Sequence, residues 1–301
     1  MTGTFHVPPD WGRDGFIVAI PARDEVARLP RALASLARDG VARDVIVIAN
    51  GCTDATASFA REFAARLRVA VLETGPLAGG VGEARRLGMQ AALEAAPHAS
   101  ILATTDADCI VGACWGAATL RALDRADAAC GRVLPDPVEF ARLPLTVRRH
   151  GVLEDRASAL AAELHGLRAP VPHDPLPRHG QTPGASLAFR AKVYRDAGGF
   201  DAIPCHEDRR IVSRIEAAGG RVARPWDLTV IASCRLAGRA PGGMAETIAA
   251  RTADQPTLRS EIDQFRRQIS QLRVAIMVHR AIQSSPPPPH DKGKSDVLSL
   301  G

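Results

Sequence analysis

A short apolar run ends in two carboxylates at Ile101-Leu102-Ala103-Thr104-Thr105-Asp106-Ala107-Asp108. The run has the length of a β-strand, and open α/β sheets bind ligands at the carboxyl edge of their strands. Residues i and i+2 of an extended chain point the same way, so we expect Asp106 and Asp108 to face one site. Two carboxylates this close repel each other unless a cation lies between them. The stretch therefore predicts a site for a hard divalent cation, which would in turn bind a diphosphate.

The residues before this run alternate between strand and helix patterns. Apolar runs bounded by turn residues predict strands, and apolar residues three and four positions apart predict helices. The predicted strands span 15–21, 45–49, 69–72 and 100–105, and the predicted helices span 25–38, 53–67 and 82–95. This alternation predicts an α/β fold with a Rossmann-like, mostly parallel sheet flanked by helices. With 301 residues the chain is long enough for one such core.

The pattern is less regular after Asp108. We predict strands at 128–134, 185–190 and 228–233, and helices at 115–125, 147–167, 211–218 and from Ala191 to Gly198. Proline and glycine keep residues 169–180 out of regular structure. A long irregular segment inside a compact domain is usually a functional lid or a binding loop.

A single apolar stripe near the end of the chain predicts a long helix. It is formed by Leu258, Ile262, Phe265, Ile269, Leu272 and Ile276. We favour a helix docked on its own domain, with the seam of a homodimer as the alternative. Residues 284–301 contain four consecutive prolines and few apolar residues, which predicts a disordered tail.

The composition excludes several classes of protein. The formal net charge of +5 fits a phosphate-bearing ligand or an anionic surface, but no basic run is interleaved with aromatics, which argues against nucleic-acid binding. The six cysteines lack the paired spacing of zinc or disulfide frameworks. We find neither a signal-peptide pattern nor a segment long enough to span a bilayer. We expect a soluble, cytoplasmic protein, for which peripheral membrane contact stays open.

Six short patterns follow one another along the chain. They are Ile20–Glu25, Asn50–Thr56, Gly82–Gly88, the Asp106-x-Asp108 doublet (a DXD motif), Gly184–Arg190 and His206–Asp208. In this order they resemble the family 2 glycosyltransferases of the GT-A fold, over about residues 16–230. Residues 172–188 and 232–247 also resemble a bacterial subgroup of that family with no defined acceptor.

The resemblance implies an activity and a domain organisation. It implies an inverting, metal-dependent glycosyltransferase of the hexosyltransferase type, which moves a single sugar from a nucleotide-sugar donor to an acceptor hydroxyl. The Q-x-x-R-W pattern of processive polysaccharide synthases is absent, which favours single transfer. The implied GT-A domain spans 15–250, between an N-terminal arm at 1–14 and a C-terminal helix at 251–283, with the tail at 284–301 beyond.

The resemblance also assigns the donor and metal site. Asp108, with Asp106, would hold Mg²⁺ or Mn²⁺ against the donor's diphosphate. Arg85 would bind the diphosphate, for which its fork geometry is suited. The nucleoside would lie against residues after the first two strands, namely Pro21, Arg23, Glu25, Asn50 and Asp54.

Two of the nucleoside positions carry alternatives. Asn50 stands where many relatives have aspartate, which puts the usual uridine assignment in question. Asp54 is either a donor contact or only a helix cap.

Asp208 is the candidate general base for the acceptor hydroxyl, and Glu207 is expected to bind acceptor hydroxyls or to orient that base. The alternative is that both acids only cap a helix. Weaker candidates for acceptor contacts lie in the irregular segment and near the last strand. They are His173, Arg178, His179, Ser186, Arg235 and Arg239. Two histidines in a proline-rich loop are more often part of a solvated surface.

Two other functions stay open on the residues alone. A nucleotidyltransferase has a similar sheet and acidic pair, but it needs a glycine-rich basic loop after the first strand. The sequence Pro21-Ala22-Arg23-Asp24-Glu25 does not supply that loop. A non-catalytic relative that binds a carbohydrate or a partner is the other alternative.

Overall fold

The computed structural model describes residues 3–63, 66–238 and 242–284. Its strands are β1 (Thr4–His6), β2 (Phe16–Ala22), β3 (Asp44–Asn50), β4 (Arg68–Thr74), β5 (Ile101–Thr105), β6 (Cys109–Val111), β7 (Ala128–Cys130), β8 (Arg132–Pro135), β9 (Ser186–Arg190), β10 (Val222–Ala223) and β11 (Thr229–Ala232). Its helices are α1 (Leu29–Asp39), α2 (Thr56–Glu62), α3 (Gly80–Ala95), α4 (Trp115–Leu123), α5 (Pro137–Ala141), α6 (Leu145–Arg168), α7 (Ala191–Asp196), α8 (Glu207–Ala217), α9 (Met244–Ala253) and α10 (Gln255–Ser284).

The central sheet has eight strands in the order β1-β4-β3-β2-β5-β9-β7-β10. Strands β4, β3, β2 and β5 are parallel, whereas β9 runs antiparallel to both of its neighbours. A second sheet of three strands has the order β6-β11-β8. The mostly parallel α/β architecture that the sequence predicts is confirmed.

Helices cover both faces of the central sheet, so its middle strands are apolar on both sides. In β2, Val18 and Ile20 belong to one buried cluster, and Ile17 and Ala19 belong to the other. Gly88 of α3 permits the close approach of that helix, because a Cβ there would lie 2.4 Å from Cδ1 of Ile48. This packing fixes the strand ends that carry the site.

The predicted strand 128–134 is wrong as one element, because it divides at Gly131 between the two sheets. The Gly131 N–H donates to the Ser186 carbonyl at 2.8 Å. A Cβ at Gly131 would lie 2.1 Å from Ser186 Oγ, so a side chain does not fit there. Glycine thus lets the chain pass from the large sheet to the small one.

Several predicted helices have different bounds in the structure, and two of the differences concern segments that carry predicted site residues. The helix predicted at 25–38 begins at Leu29, with Pro30 in its first turn, where proline is tolerated. The helix predicted at 211–218 begins earlier, at Glu207, and this puts two carboxylates in its first turn. The second difference matters for the site.

The ends of the chain also contribute to the fold. The predicted N-terminal arm contains β1, which pairs antiparallel with β4, and Trp11, whose indole N–H donates to the Val45 carbonyl at 2.9 Å. At the other end, α10 packs on α6 through a buried cluster that includes Leu160, Leu164, Ile269 and Ile276. The apolar stripe therefore docks α10 on its own domain, as the sequence analysis favours.

Three further observations concern the predicted domain boundary, the predicted tail and the predicted absence of a membrane span. The predicted domain boundary at residue 250 falls inside α9. The predicted tail lies outside the described residues except for Ser284. No helix within the described ranges is both long and apolar enough to cross a membrane.

Candidate active site

The carboxyl ends of β2 and β5 bring the first acidic residues together. These parallel strands are neighbours, so Glu25, which follows β2, and Asp106, which follows β5, lie at the same edge of the sheet. A turn, closed by a hydrogen bond from the Cys109 N–H to the Asp106 carbonyl, leads from β5 into β6. Ligand atoms of Asp106, Asp108 and Cys109 lie within 4.8 Å of one another. The expected convergence of Asp106 and Asp108 is therefore present.

Arg85 connects this acidic doublet to the first turn of α8. Its guanidinium forms ion pairs with Asp106 and Glu207, and its Nε donates to Thr104 Oγ1 at 3.2 Å. The side chains of Arg85 and Glu207 are only 4% and 3% exposed. The guanidinium is thus enclosed by protein partners, and Glu207 is committed to Arg85. No pattern in the sequence predicts that these two residues form a pair.

Asp208, the candidate base, is held by the loop before β9. Its Oδ2 accepts a hydrogen bond from the Gly184 N–H at 2.7 Å, and the carboxylate is only half-buried. A Cβ at Gly184 would lie 2.5 Å from Nη1 of Arg85, so the glycine packs directly on that guanidinium. His206, with φ of 65°, precedes α8 and puts Glu207 and Asp208 in its first turn, where the helix dipole favours carboxylates. Gly184 therefore links Asp208 to Arg85.

Arg235 contacts the doublet from the other side. Its Nη2 lies 2.7 Å from Oε1 of Glu25 and 3.1 Å from Oδ2 of Asp108. Burial and the charge of Asp106 raise the pKa of Asp108 to about 6, although the Arg235 guanidinium acts in the opposite direction. The positive charge near Asp108 therefore does not fully offset the effects of burial and of the neighbouring carboxylates on its pKa.

The donor set is suited to a hard divalent cation. Asp106 and Asp108 offer carboxylate oxygens, the ligand type that Mg²⁺ and Mn²⁺ prefer. Cys109 is completely buried, and burial raises its thiol pKa well above the ordinary value, so the thiol keeps its proton. The two carboxylates thus fit such a cation, whereas the thiol does not.

The predicted nucleoside contacts are mostly engaged within the protein. Asn50 is buried at the end of β3, and its Oδ1 accepts from the Leu77 N–H at 2.9 Å. The carboxylate of Asp54 accepts from the Thr56 N–H at 2.9 Å and the Val26 N–H at 3.2 Å. Burial would raise the pKa of Asp54, but these hydrogen bonds outweigh it and lower that pKa. Asp54 thus bonds the backbone on either side of the site edge, but the N-cap position of α2 is Ala55 and not Asp54. Pro21 is half-buried in β2, and Arg23 is exposed.

Two of the predicted acceptor residues are buried and fully bonded. His179 contacts the Cys130 carbonyl through Nε2 at 3.1 Å and accepts from the Gln181 N–H through Nδ1 at 3.0 Å. Burial lowers the pKa of His179 to about 3, so the ring is neutral. Ser186 Oγ accepts from the Trp115 indole N–H at 2.9 Å. These two side chains form hydrogen bonds inside the protein and do not face solvent.

The other predicted acceptor residues have mixed surroundings. Arg178 is mostly buried and pairs with Asp174 at 3.0 Å, and Asp174 accepts from the Arg224 N–H at 2.7 Å. His173 is half-buried. Arg239 lies outside the described residues. The irregular segment is therefore anchored to the chain near β10 at Asp174 and His179.

The sequence comparison settles the family. The Glycosyl transferase family 2 description matches residues 17–167, about half of the chain. The chain belongs to glycosyltransferase family 2. No curated protein matches it.

Solved structures share the fold at low sequence identity. S. aureus TarS 1–349 in complex with UDP is 14% identical, with a TM-score of 0.52, over 73% of this chain and 60% of that one. The chain thus spans less than two thirds of that protein's length. The mannosyltransferase PcManGT from Pyrobaculum calidifontis, in complex with GDP-Man and Mn²⁺, is 18% identical, with a TM-score of 0.50, over 91% of this chain and 76% of that one. These similarities confirm the predicted GT-A fold with a C-terminal helix.

Proposed function

We propose that the chain transfers a single hexose from a nucleotide-sugar donor to an acceptor hydroxyl, with inversion and with a divalent cation. One observation carries the proposal. The pair at Asp106 and Asp108 and the candidate base Asp208 are joined by contacts that pass through Arg85 and Gly184. This chain of contacts supports the assignment of the cation-binding acids and the base to one site.

In this mechanism Asp208 acts on the acceptor. Its carboxylate takes the proton of the acceptor hydroxyl while that oxygen attacks the anomeric carbon. The bond from the anomeric carbon to the diphosphate breaks on the opposite face, so the configuration inverts. The Gly184 N–H donates to Oδ2 and the Arg209 N–H donates to Oδ1, each at 2.7 Å, which orients the half-buried carboxylate. A carboxylate oxygen has two lone pairs, so one stays available for the proton.

Asp106 and Asp108 would hold the cation against the donor's diphosphate. A bound Mg²⁺ or Mn²⁺ supplies positive charge that stabilises the departing nucleoside diphosphate. Arg85 and Glu207 act as positioning residues, because each is buried and occupied by the other. We therefore assign Arg85 to the support of Asp106, and Glu207 to the support of Arg85.

The solved structures with a similar fold carry nucleotides with two different bases. TarS was solved with UDP and with UDP-GlcNAc, and PcManGT with GDP-Man. The buried Asn50, where the resemblance expects aspartate, supports screening both classes of donor.

The proposal is tested by a donor screen with and without Mn²⁺. We expect one class of sugar nucleotide to raise the melting temperature only when the cation is present, because a bound ligand stabilises the native state. Slow release of the nucleoside diphosphate should accompany binding, and a chelator should abolish both signals. Asp208→Asn should keep donor binding and lose transfer. Absence of binding to every donor, with Mn²⁺ present, would contradict the proposal.

A further inference from the structure

The C-terminal half of α10 has a second apolar stripe, which faces away from the protein. Val274, Met277, Val278 and Ile282 are 55%, 64%, 48% and 69% exposed. Their spacing of three and four residues puts them on one face of the helix. The packed face of the same helix is formed by other residues, including Ile269 and Ile276. Large apolar residues that cluster in this way on a surface mark an interaction site.

The charged residues of this half of α10 are of one sign. Residues 264–284 contain four arginines, at positions 266, 267, 273 and 280, and no aspartate or glutamate. Arg266 pairs with Asp263 and Arg280 pairs with Glu163. Within the described part of the chain, Arg267 and Arg273 have no carboxylate at ion-pair distance. The stripe is thus bordered by free positive charge.

This charge distinguishes between two occupants. Two copies of α10 paired through the outer stripe would bring arginines near arginines, and residues 264–284 offer no carboxylate to offset them. An anionic lipid surface accepts both features, because acyl chains receive the apolar side chains and headgroups receive the guanidinium groups. The helix would then lie along the surface without crossing it.

We propose that the outer stripe of α10 docks the protein on an anionic membrane surface. Val274, Met277, Val278 and Ile282 enter the boundary between headgroups and acyl chains, and Arg267 and Arg273 contact lipid phosphates. The proposal is independent of the catalytic one, since it uses none of the residues at the carboxyl edge of the sheet. It concerns where the enzyme works, whichever sugar it moves.

The test is flotation of the full chain with vesicles. We expect binding to phosphatidylcholine vesicles that contain phosphatidylglycerol, little binding to phosphatidylcholine alone, and weaker binding at high salt. The triple variant Val274→Ser, Met277→Ser, Ile282→Ser should bind at least about tenfold more weakly, because three inserted side chains become polar. Arg273→Gln should weaken binding by about threefold, since each basic residue near an anionic surface contributes modestly.

A matched control uses an equally exposed valine elsewhere. Val152 in α6 is 58% exposed, so Val152→Ser makes the same chemical change as Val274→Ser on a different surface. The control should bind vesicles like the unchanged protein, whereas Val274→Ser alone should bind more weakly. Equal binding of the two single variants overturns the proposal, as does failure to bind anionic vesicles. A dimer in solution that the triple variant abolishes also overturns it, in favour of a second copy on the stripe.

Discussion

The acidic doublet has two arginine partners, and their surroundings differ. Arg85 is 4% exposed, and each nitrogen of its guanidinium has a partner, among Asp106, Glu207 and Thr104. Arg235 is 18% exposed, reaches Asp108 and Glu25 through Nη2, and leaves a buried Nη1 with no hydrogen-bond partner among the described residues. Arg85 is therefore held firmly within the site. Arg235 contacts the doublet at Asp108 while part of its own guanidinium stays without a hydrogen-bond partner among the described residues.

This difference indicates separate roles. Removing Arg85 would leave the buried Glu207 carboxylate without a counter-charge. An unpaired buried charge strongly destabilises the folded state. Removing Arg235 would take one ion-pair partner from Asp108 and from the buried Glu25, and it would open the Asp108 carboxylate to another cation. We expect Arg85 to be required for structure and activity, and Arg235 to be exchanged for the divalent cation when the donor binds.

The largest effect is expected for Arg85→Ala. It should lower the free energy of unfolding by about 3–5 kcal/mol, because the buried Glu207 carboxylate loses its partner. It should also abolish transfer. Urea titration and a transfer assay measure the two effects. Arg86→Ala, at the adjacent exposed position, is the control and should stay within about 0.5 kcal/mol of the unchanged protein. Equal stability of the two variants would show that the Arg85 pair has no structural role.

The second effect is expected for Asp108→Asn. The substitution keeps the size of the side chain but removes a negative charge from the proposed cation site. We expect turnover to fall by about 10²–10³-fold, as for loss of one strong electrostatic contact. Titration with Mn²⁺ should show weaker binding by calorimetry. Unchanged Mn²⁺ affinity would remove Asp108 from the cation site.

Gly184→Ala should reduce transfer by about 10- to 100-fold. A methyl group there would displace Arg85 and the amide that holds Asp208, and small misplacements of reacting groups are costly. Gly180→Ala is the matched control in the same segment, because its Cβ would be no closer than 3.4 Å to another residue. Steady-state rates compare the two variants. Similar rates would indicate that Gly184 does not position the base.

Arg235→Gln should change Mn²⁺ affinity less than Asp108→Asn does, and it should raise that affinity instead of lowering it. With the competing guanidinium removed, Mn²⁺ should bind up to about tenfold more tightly. Calorimetric titration without donor measures this. Weaker binding of Mn²⁺ would mean that Arg235 supports the cation site instead of competing with it.

The smallest effect is expected for the ion pair between Arg221 and Asp127. Because this pair is near solvent, it is a reference for the buried ion pair of Arg85. Arg221 binds Asp127 through two side-chain contacts of 3.1 and 3.0 Å, and the Arg221 side chain lowers the pKa of Asp127. Asp127→Asn should cost less than about 1 kcal/mol at neutral pH, because solvent screens the pair. A carboxyl group with a lowered pKa stabilises the fold above its ordinary pKa of 3.8 and loses that contribution as the pH falls. The difference between variant and parent should therefore vanish in acid, as measured by urea titration at several pH values.

Local sequence patterns predict those parts of the site that lie at the end of a single strand. Asp106 and Asp108 follow an apolar run directly, so the edge of the sheet is evident from the order of residues. The pairing of Arg85 with Glu207 joins positions that are far apart in the chain, and no periodicity reports it. The division of strand 128–134 has a similar cause. The apolar pattern continues through Gly131, and only its contact with Ser186 in the folded chain separates the two strands.

Histidines show the same limit. His173 and His179 stand in one segment rich in proline, and both were expected either in an acceptor site or in solvent. His179 is instead buried against Cys130, because the segment is drawn onto the sheet by contacts with residues that come earlier and later in the chain. Composition describes the segment but does not reveal which of its residues turns inward.

The pairing of β1 with β4 has a practical consequence. β1 supplies the outermost hydrogen bonds of the large sheet, with Phe5 opposite Leu72. A shortened protein that begins at Phe16 would expose the polar backbone of β4, and such an open border invites pairing with another molecule. Truncations intended to aid crystallisation should therefore keep the first strand, or they will favour self-association and precipitation.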